Sequence, residues 1–258
     1  VLGAGTEVLV SALVALIGRE RLFAVEDPGY SRVRRILVVS GARIAPTPLS
    51  GGAIDVRELY RSGAGAAYVT PTHQFPTGEE MQPGQREALL RWARETGGYI
   101  LEDDYDSEFR FTGRPIPTLQ SIDRGGRVIY MNTFSRTLAP SLRISYMVLP
   151  PALLEDYHRR LGFYSCTVPA MEQYTLARFL SGGGFETHVN RMRVFYRGRR
   201  DQVLSALEES SLKGRYTVRG EDAGLHFLVG LDTTRSDREL ARLAQEAGIR
   251  LSFLTDYG

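Results

Sequence analysis

Hydroxyl and guanidinium groups are concentrated in one short polar segment near the middle of the chain. Residues 128–130 and 144–149 are β-branched and aromatic runs, which predicts two buried strands on either side of this segment. The side chains between the two runs include donors suited to an anion: Thr133, Ser135, Arg136 and Arg143. Because ligands gather where strands end, this pattern predicts an anion bound at the end of these strands.

A second polar segment follows a predicted strand at residues 99–101. It concentrates carboxylates around Tyr105: Glu102, Asp103, Asp104, Asp106 and Glu108. Like charges held this close repel one another, so the cluster needs a structural or chemical reason. A solvated loop and a divalent metal site are both compatible with these residue types.

The start of the chain carries a third feature with anion-binding potential. Gly5 and Thr6 lead into apolar residues at helical spacing, which predicts a helix at 6–17. Free N–H groups and the helix dipole at such a start favour an anion, although a simple helix cap explains the same residues. Glu7 places a negative charge at the same point.

Two loops contribute further polar and aromatic candidates. Tyr30 and Arg32 follow a Pro-Gly turn, and each has an ordinary alternative as a core aromatic or a surface arginine. His73 is the only titratable side chain of residues 70–78, a loop after the predicted strand at 66–69. A ligand contact and a purely structural role are both open for this histidine.

The alternation of strands with helices predicts an α/β fold with a mostly parallel sheet flanked by helices. Strands are predicted at residues 22–25, 42–46, 66–69, 99–101, 128–130, 144–149, 216–219, 226–231 and 249–251. Helices are predicted at residues 6–17, 55–61, 85–97, 151–161, 169–180, 185–209 and 236–247, and a proline-rich loop at 114–121. The polar segments follow strands, so they are expected to meet at one edge of the sheet.

Composition narrows the class of protein. The 258 residues are 43% hydrophobic and 24% charged, which is typical of a globular protein with a sizeable core. The net charge of +2 gives no argument for a nucleic-acid or membrane surface, and no apolar run approaches the roughly 20 residues of a membrane span. The lone Cys166 favours a reducing cytoplasm over a disulfide framework. Lys213 is the only lysine.

Three motifs together resemble the aminotransferase-like domain of MocR/GabR-type transcription regulators of the GntR family. They are TPTHQFPTG at 70–78, EDDYDSEF at 102–109 and FSRTLAPSLRISYMVLP at 134–150. The resemblance implies a fold-type I transferase dependent on pyridoxal 5'-phosphate (PLP). In that family a lysine forms an imine with the cofactor aldehyde, and this lysine position falls on Arg136. Arginine stays protonated and is not a usable nucleophile, so covalent attachment is not expected.

The resemblance also implies roles for the other polar residues. Tyr30 would lie against the pyridine ring, Asp103 would pair with the ring nitrogen, and Tyr105 would donate to the phenolic oxygen. His73 is a further candidate for the phenolic oxygen, because its loop lacks the asparagine of ordinary aminotransferases. The residues that would surround the phosphate are Gly5, Thr6, Thr133, Ser135 and Arg143. The residues that would contact an effector carboxylate are Arg32 and Arg143. No metal is expected.

The same resemblance divides the chain. Residues 1–185 are expected to form a large PLP-binding domain. Residues 186–258 are expected to form a linking helix and a smaller α+β domain, and we expect both domains to continue beyond this chain. A homodimer in the cytoplasm is expected, without membrane contact. DNA would be contacted only through an N-terminal winged-helix domain, of which this sequence shows no pattern.

Three functions are compatible with these observations. The first is an effector-sensing and dimerising domain that binds PLP and an amino compound without requiring turnover. The second is a class I/II aminotransferase whose catalytic lysine is lost or replaced at Arg136. The third is a dimerisation scaffold without PLP. The first is favoured over the third because a scaffold would have no use for Asp103, Tyr105, Thr133 and Arg143 together.

Overall fold

The computed structural model describes residues 1–113 and 116–258. Within these residues, one sheet of eight strands has the order β1-β8-β7-β6-β5-β2-β3-β4. Its strands are β1 (Leu2–Gly3), β2 (Leu22–Asp27), β3 (Arg43–Ser50), β4 (Ala53–Ile54), β5 (Ala66–Val69), β6 (Tyr99–Asp103), β7 (Val128–Thr133) and β8 (Ser145–Val148). The neighbours β3, β2, β5, β6 and β7 run parallel to one another. The pairs β7–β8, β8–β1 and β3–β4 are antiparallel. The mostly parallel sheet predicted from the sequence is confirmed.

Helices cover both faces of this sheet. They are α1 (Thr6–Ile17), α2 (Ser31–Val39), α3 (Val56–Ser62), α4 (Pro83–Thr96), α5 (Leu119–Ile122), α6 (Phe134–Thr137), α7 (Pro151–Leu161), α8 (Ala170–Ser181), α9 (Gly184–Glu209) and α10 (Asp237–Glu246). Successive residues of β5 point to opposite faces. Tyr68 packs in the cluster with α1, α2 and α7, whereas Ala67 and Val69 pack in the cluster with α3, α4 and α5. Burial on both faces explains why β5 is apolar throughout.

Local signals in the sequence fix several helix ends. The Asp55 carboxylate accepts hydrogen bonds from the backbone N–H groups of Arg57 and Glu58, which caps α3. Pro83 opens α4 at a position where no backbone donor is needed. Gly97 ends the same helix with a φ of 67°, a conformation that favours glycine.

The C-terminal part of the chain packs against the loops that follow β6. It contains the long helix α9, a two-stranded antiparallel sheet of β9 (Tyr216–Arg219) and β10 (Leu228–Leu231), and α10. The Arg193 guanidinium donates to the Glu108 carbonyl, and Arg197 donates to the Phe111 carbonyl. These bonds join the helix to the carboxylate-rich segment.

Two local predictions require correction: the strand at 249–251 and the loop at 114–121. The strand predicted at 249–251 is wrong, because the Ile249 N–H donates to the Ala244 carbonyl at the end of α10 and no ladder forms. Helix α2 was not predicted, because arginines hide its apolar positions, Val33 and Leu37.

The predicted proline-rich loop at 114–121 begins with Arg114 and Pro115, which lie outside the described residues. Its end is the short helix α5 rather than loop. The Thr118 hydroxyl caps this helix, and the buried Glu102 carboxylate accepts its first N–H groups. Among the described residues, no helix combines the length and apolar character that crossing a membrane requires.

Candidate cofactor and effector site

A cavity of about 230 Å³ opens where the parallel strands β2, β5, β6 and β7 end. The predicted site residues that line it are Thr6, Tyr30, Arg32, Asp103, Tyr105, Thr133, Ser135, Arg136 and Arg143. Gly5 and His73 were also predicted, but neither belongs to its lining. The edge of the sheet therefore brings together residues from all the polar segments of the sequence.

Asp103, the last residue of β6, forms the floor of the cavity. Its Oδ2 accepts a hydrogen bond from the Tyr68 hydroxyl, while its Oδ1 is buried without a partner among the described residues. Burial raises the pKa of Asp103 to about 7, and the nearby Arg136 guanidinium lowers it only in part. An unpaired carboxylate oxygen in this setting suits a cationic N–H donor, which would restore the charged form.

A second buried carboxylate lies beside the floor. Glu26, near the end of β2, accepts hydrogen bonds from the Thr70 hydroxyl at 2.8 Å and from the Gln74 amide at 3.2 Å. Burial raises the pKa of Glu26 to about 7, and the Asp103 carboxylate adds to that rise. Glu26 thus ties the 70–78 loop to the sheet.

The carboxylates of residues 102–108 do not form one charged group. Glu102 accepts from backbone N–H groups of α5, and Asp104 accepts from the Ser107 and Tyr130 hydroxyls. Asp103 faces the cavity, whereas Asp106 faces His73. Each of these carboxylates therefore has its own hydrogen-bond partners, which explains how so many acidic residues can follow one strand.

His73 lies behind Tyr105. Its Nδ1 is 3.1 Å from the Asp106 Oδ2 and 3.2 Å from the Tyr105 hydroxyl, and that hydroxyl donates to the His73 carbonyl at 3.0 Å. The side chain of His73 is almost completely buried. The structure therefore gives no support to His73 as the partner of the phenolic oxygen, because this ring lies against Tyr105 and does not line the cavity.

Three side chains behind Tyr105 form the one group among the described residues that could hold a metal ion. These are His73, Asp106 and His226, whose ligand atoms lie within 4.8 Å of one another. The pKa of His226 is lowered to about 4, chiefly by burial and then by His73. The contact between the His73 Nδ1 and the Asp106 Oδ2 explains why these two side chains lie together without an ion between them.

The anion-binding end of the cavity is arranged around Arg143. A Cβ on Gly5 would come within 2.2 Å of the Arg143 Nη2, and the φ of 109° at Gly5 also favours glycine. Gly5 therefore gives room to the arginine instead of lining the cavity. Glu7 forms an ion pair with the same Arg143 guanidinium. An anion would have to compete with, or displace, this carboxylate.

The two hydroxyls of the Arg136 loop differ in availability. Thr133 Oγ1 accepts from the Ser135 N–H at 3.2 Å and from the Ser145 hydroxyl at 2.9 Å, which makes it the cap of α6. Ser135 lines the cavity, and its hydroxyl donates to the Leu142 carbonyl at 3.0 Å. Thr133 thus shapes the loop as well as lining the cavity.

Arg136 extends from α6 into the cavity and is exposed. None of the hydrogen bonds or ion pairs of the described residues involves its guanidinium. It is close enough to lower the pKa of Asp103 and that of Tyr105, although burial dominates both. Arg32, at the start of α2, is likewise exposed and lines the cavity.

Aromatic rings complete the cavity. Tyr30 and Phe75 pack edge to face with ring centroids 5.5 Å apart, and both line it. Sequence reasoning did not single out Tyr68 and Phe75, which line the cavity, or Glu26, which is not part of the lining. Phe75 stands inside the TPTHQFPTG motif, and Glu26 precedes the Pro-Gly turn before Tyr30. Tyr68 reads as an ordinary strand residue, and only the register of β5 against β6 brings it to Asp103.

Comparisons with known proteins identify the family to which this chain is similar. The family description "Aminotransferase class I and II" matches residues 1–255. The chain is 40% identical over 251 residues to the uncharacterized HTH-type transcriptional regulator YdeL of Bacillus subtilis, covering 97% of this chain and 54% of YdeL. It is 36% identical over 252 residues to the probable rhizopine catabolism regulatory protein MocR of Rhizobium meliloti, covering 97% and 51%. The chain spans about half the length of these relatives.

A solved structure shares the fold. Kynurenine aminotransferase of Pyrococcus horikoshii, crystallised in complex with pyridoxamine phosphate (PMP), superimposes on this chain with a TM-score of 0.85 at 26% identity. The match covers 99% of this chain and 66% of that chain.

Proposed function

Because the chain belongs to the class I and II aminotransferase family, we propose that it is the effector-sensing and dimerising domain of a MocR/GabR-type transcription regulator. Its ligands in this proposal are PLP, held without a covalent bond, and an amino compound. Support for a regulator comes from relatives that are regulators by name and that match this chain over about half their length. Support for PLP comes from the cavity itself.

One observation carries the proposal: Arg136, which the resemblance puts at the lysine position, lines a cavity whose other groups would fit PLP. The buried Asp103 Oδ1, which has no partner among the described residues, suits the protonated ring nitrogen. Tyr30 offers an aromatic face to the ring. Thr6, Ser135 and Arg143 surround the place of the phosphate, where Glu7 must yield.

PLP would bring to this cavity an electron-withdrawing ring and an aldehyde that reacts with amines. The residues of the chain would bind and orient it. Tyr105 lines the cavity, but its hydroxyl donates to the His73 carbonyl, so it would have to give up that bond to donate to the phenolic oxygen. Arg136 cannot serve as the attacking amine or as a proton shuttle, because its guanidinium keeps its proton. Efficient transamination is therefore not expected.

The wider assembly follows from the same proposal. Residues 1–185 would form the large PLP-binding domain, and residues 186–258 the linking helix and small domain. The domain would act as a homodimer in the cytoplasm. DNA would be bound through a winged-helix domain outside this chain, since the net charge of +2 gives no argument for a nucleic-acid surface on this chain.

The test is a PLP titration followed by absorbance, then borohydride reduction and peptide mass spectrometry. We expect saturable binding that leaves no reduced adduct on any peptide. A reduced adduct on Lys213, which is 70% exposed and paired with Glu208, would show that the site is misplaced. No binding at saturating PLP would favour the scaffold without PLP.

Arg136→Lys is the matched positive control for this experiment. It restores an amine at the same position, so we expect a reducible adduct on residue 136 alone. If the variant also carries out a half-reaction with an amino acid, a parent aminotransferase activity is supported. If the variant binds PLP but forms neither adduct nor product, the lysine position has been assigned to the wrong residue.

A further inference from the structure

We propose that the cavity selects a conjugate of the phosphopyridoxyl group with an amino acid, and that Arg136 binds the carboxylate of that conjugate. This inference rests on the proposed function. It goes further by naming the bound species and the residue that recognises it. The carboxylate site is made by the residue that replaces the family's lysine.

The first support is the availability of Arg136. Its guanidinium lines the cavity and takes part in none of the ion pairs or hydrogen bonds of the described residues. Of the other two arginines that line the cavity, Arg143 is paired with Glu7. Arg32 has no ion pair among the described residues and is therefore the competing candidate. An arginine that faces a cavity without an internal anion is suited to an anion supplied by the ligand.

The second support is the place of Arg136 relative to the floor. Its charge reaches both Asp103 and Tyr105, the residues proposed to fix the ring nitrogen and the phenolic oxygen. The ring substituent that lies beside the phenolic oxygen is the carbon that carries the amino acid in a conjugate. The α-carboxylate of that amino acid is two bonds beyond the linking nitrogen, which suits a long side chain that lines the cavity near both residues.

The third support is chemical selectivity. A guanidinium presents a planar fork that matches a carboxylate and offers little to an aldehyde. It repels the ammonium group of pyridoxamine phosphate (PMP). The conjugate requires no amine from the protein, since a primary amine and the aldehyde condense in solution with loss of one water. The expected order of affinity is therefore conjugate, then PLP, then PMP.

The test compares two stable ligands by isothermal titration calorimetry. N-(5'-phosphopyridoxyl)-L-leucine carries the carboxylate, and N-(5'-phosphopyridoxyl)-3-methylbutylamine is the same molecule without it. On the unmodified chain we expect the leucine conjugate to bind about 10- to 100-fold more tightly, the range for a bidentate charged contact. PLP and PMP are titrated alongside as references.

Variants then assign the contact. Arg136→Gln should reduce the preference for the carboxylate to about threefold or less, while PLP alone still binds. Arg32→Gln tests the competing arginine and should leave most of the preference. Arg35→Gln, on the exposed side of α2 and outside this cavity, controls for the loss of one positive charge. A carboxylate preference that falls equally in all three variants would reflect net charge and would overturn the assignment.

Two failures are distinguishable. If neither PLP nor either conjugate binds, the proposed function itself fails. If PLP binds but the two conjugates bind equally, or if the preference survives Arg136→Gln, the proposed function stands and this inference is wrong. Loss of the preference in Arg32→Gln instead would transfer the carboxylate contact to α2.

Discussion

The floor and the rim of the cavity hold their charges in opposite ways. Asp103 on the floor and Glu26 beside it are buried, and burial raises the pKa of each to about 7. On the rim, Arg32, Arg136 and Arg143 are exposed or half-exposed. The buried carboxylates can therefore change their charge with pH or with a bound ligand, whereas the rim presents guanidinium groups to solvent.

This contrast indicates how the work of recognition is divided. A buried carboxylate with one unpaired oxygen binds a cationic donor favourably, whereas a ligand without such a donor leaves the oxygen unpaired at a cost in free energy. Solvated arginines attract many anions weakly and gain specificity only through geometry. Substitutions on the floor or in the packing behind it should thus change stability or the affinity for PLP itself more than substitutions on the rim.

The largest effect is expected behind the floor, at Gly224. A Cβ there would come within 2.1 Å of the His73 ring and 2.5 Å of the Asp106 Oδ2, and the φ is 72°. Gly224→Ala should lower the free energy of unfolding by about 3 kcal/mol, as measured by urea denaturation. Gly214→Ala has a φ of 74° with open space around it, so it should cost about 1 kcal/mol. Equal losses would mean that packing behind the floor contributes nothing.

Removing the charge of the floor should weaken PLP binding next most strongly. Asp103→Asn keeps the shape but loses the ionised partner of the ring nitrogen, so affinity should fall by about 30-fold, or about 2 kcal/mol. Titration by absorbance measures it. The variant should remain folded, because it removes a buried charge. Unchanged affinity would show that Asp103 does not face the ring nitrogen.

The same substitution should reveal the pH dependence of the floor. In the unfolded chain Asp103 loses its proton near the ordinary value of 3.8, but in the fold its pKa is raised to about 7. The folded state therefore holds the extra proton, and stability contributed by this group falls as pH rises from about 4 to about 7. Asp103→Asn does not titrate and so does not lose this stability. Its free energy of unfolding relative to the unmodified chain, measured by thermal denaturation, should rise between about pH 5 and about pH 8 by an amount on the order of 1 kcal/mol. A constant difference would place the titration elsewhere.

The smallest effect is expected on the rim, at Glu7. Glu7→Gln removes the carboxylate that pairs with Arg143, which frees the guanidinium for the phosphate. Since the pair is about half exposed, the gain in PLP affinity should be only about threefold, and it should shrink at high salt. Glu20→Gln removes the same charge from an exposed position away from the cavity, so it serves as the control. Weaker binding in Glu7→Gln would show that Glu7 assists the ligand.

Much of the fold could be predicted from local patterns. Helices α1 and α7 have the predicted bounds, 6–17 and 151–161, because apolar spacing and neighbouring Gly and Pro define their ends. The strand predicted at 249–251 failed, because its short apolar run carries no information about whether a partner strand exists. The arginine-rich α2 escaped prediction, since its buried stripe is only two residues wide.

By itself, the sequence determined which residue types the site contains. Its motifs, and the arginine that the resemblance puts at the lysine position, follow from residue type and order alone. Only the tertiary structure decided how those residues are engaged. Arg143 meets Glu7 across 136 residues, Asp103 meets Tyr68 across 35, and His73 turns behind Tyr105. Such contacts depend on strand register and on burial, which act between segments distant in the chain and therefore leave no signature in local sequence.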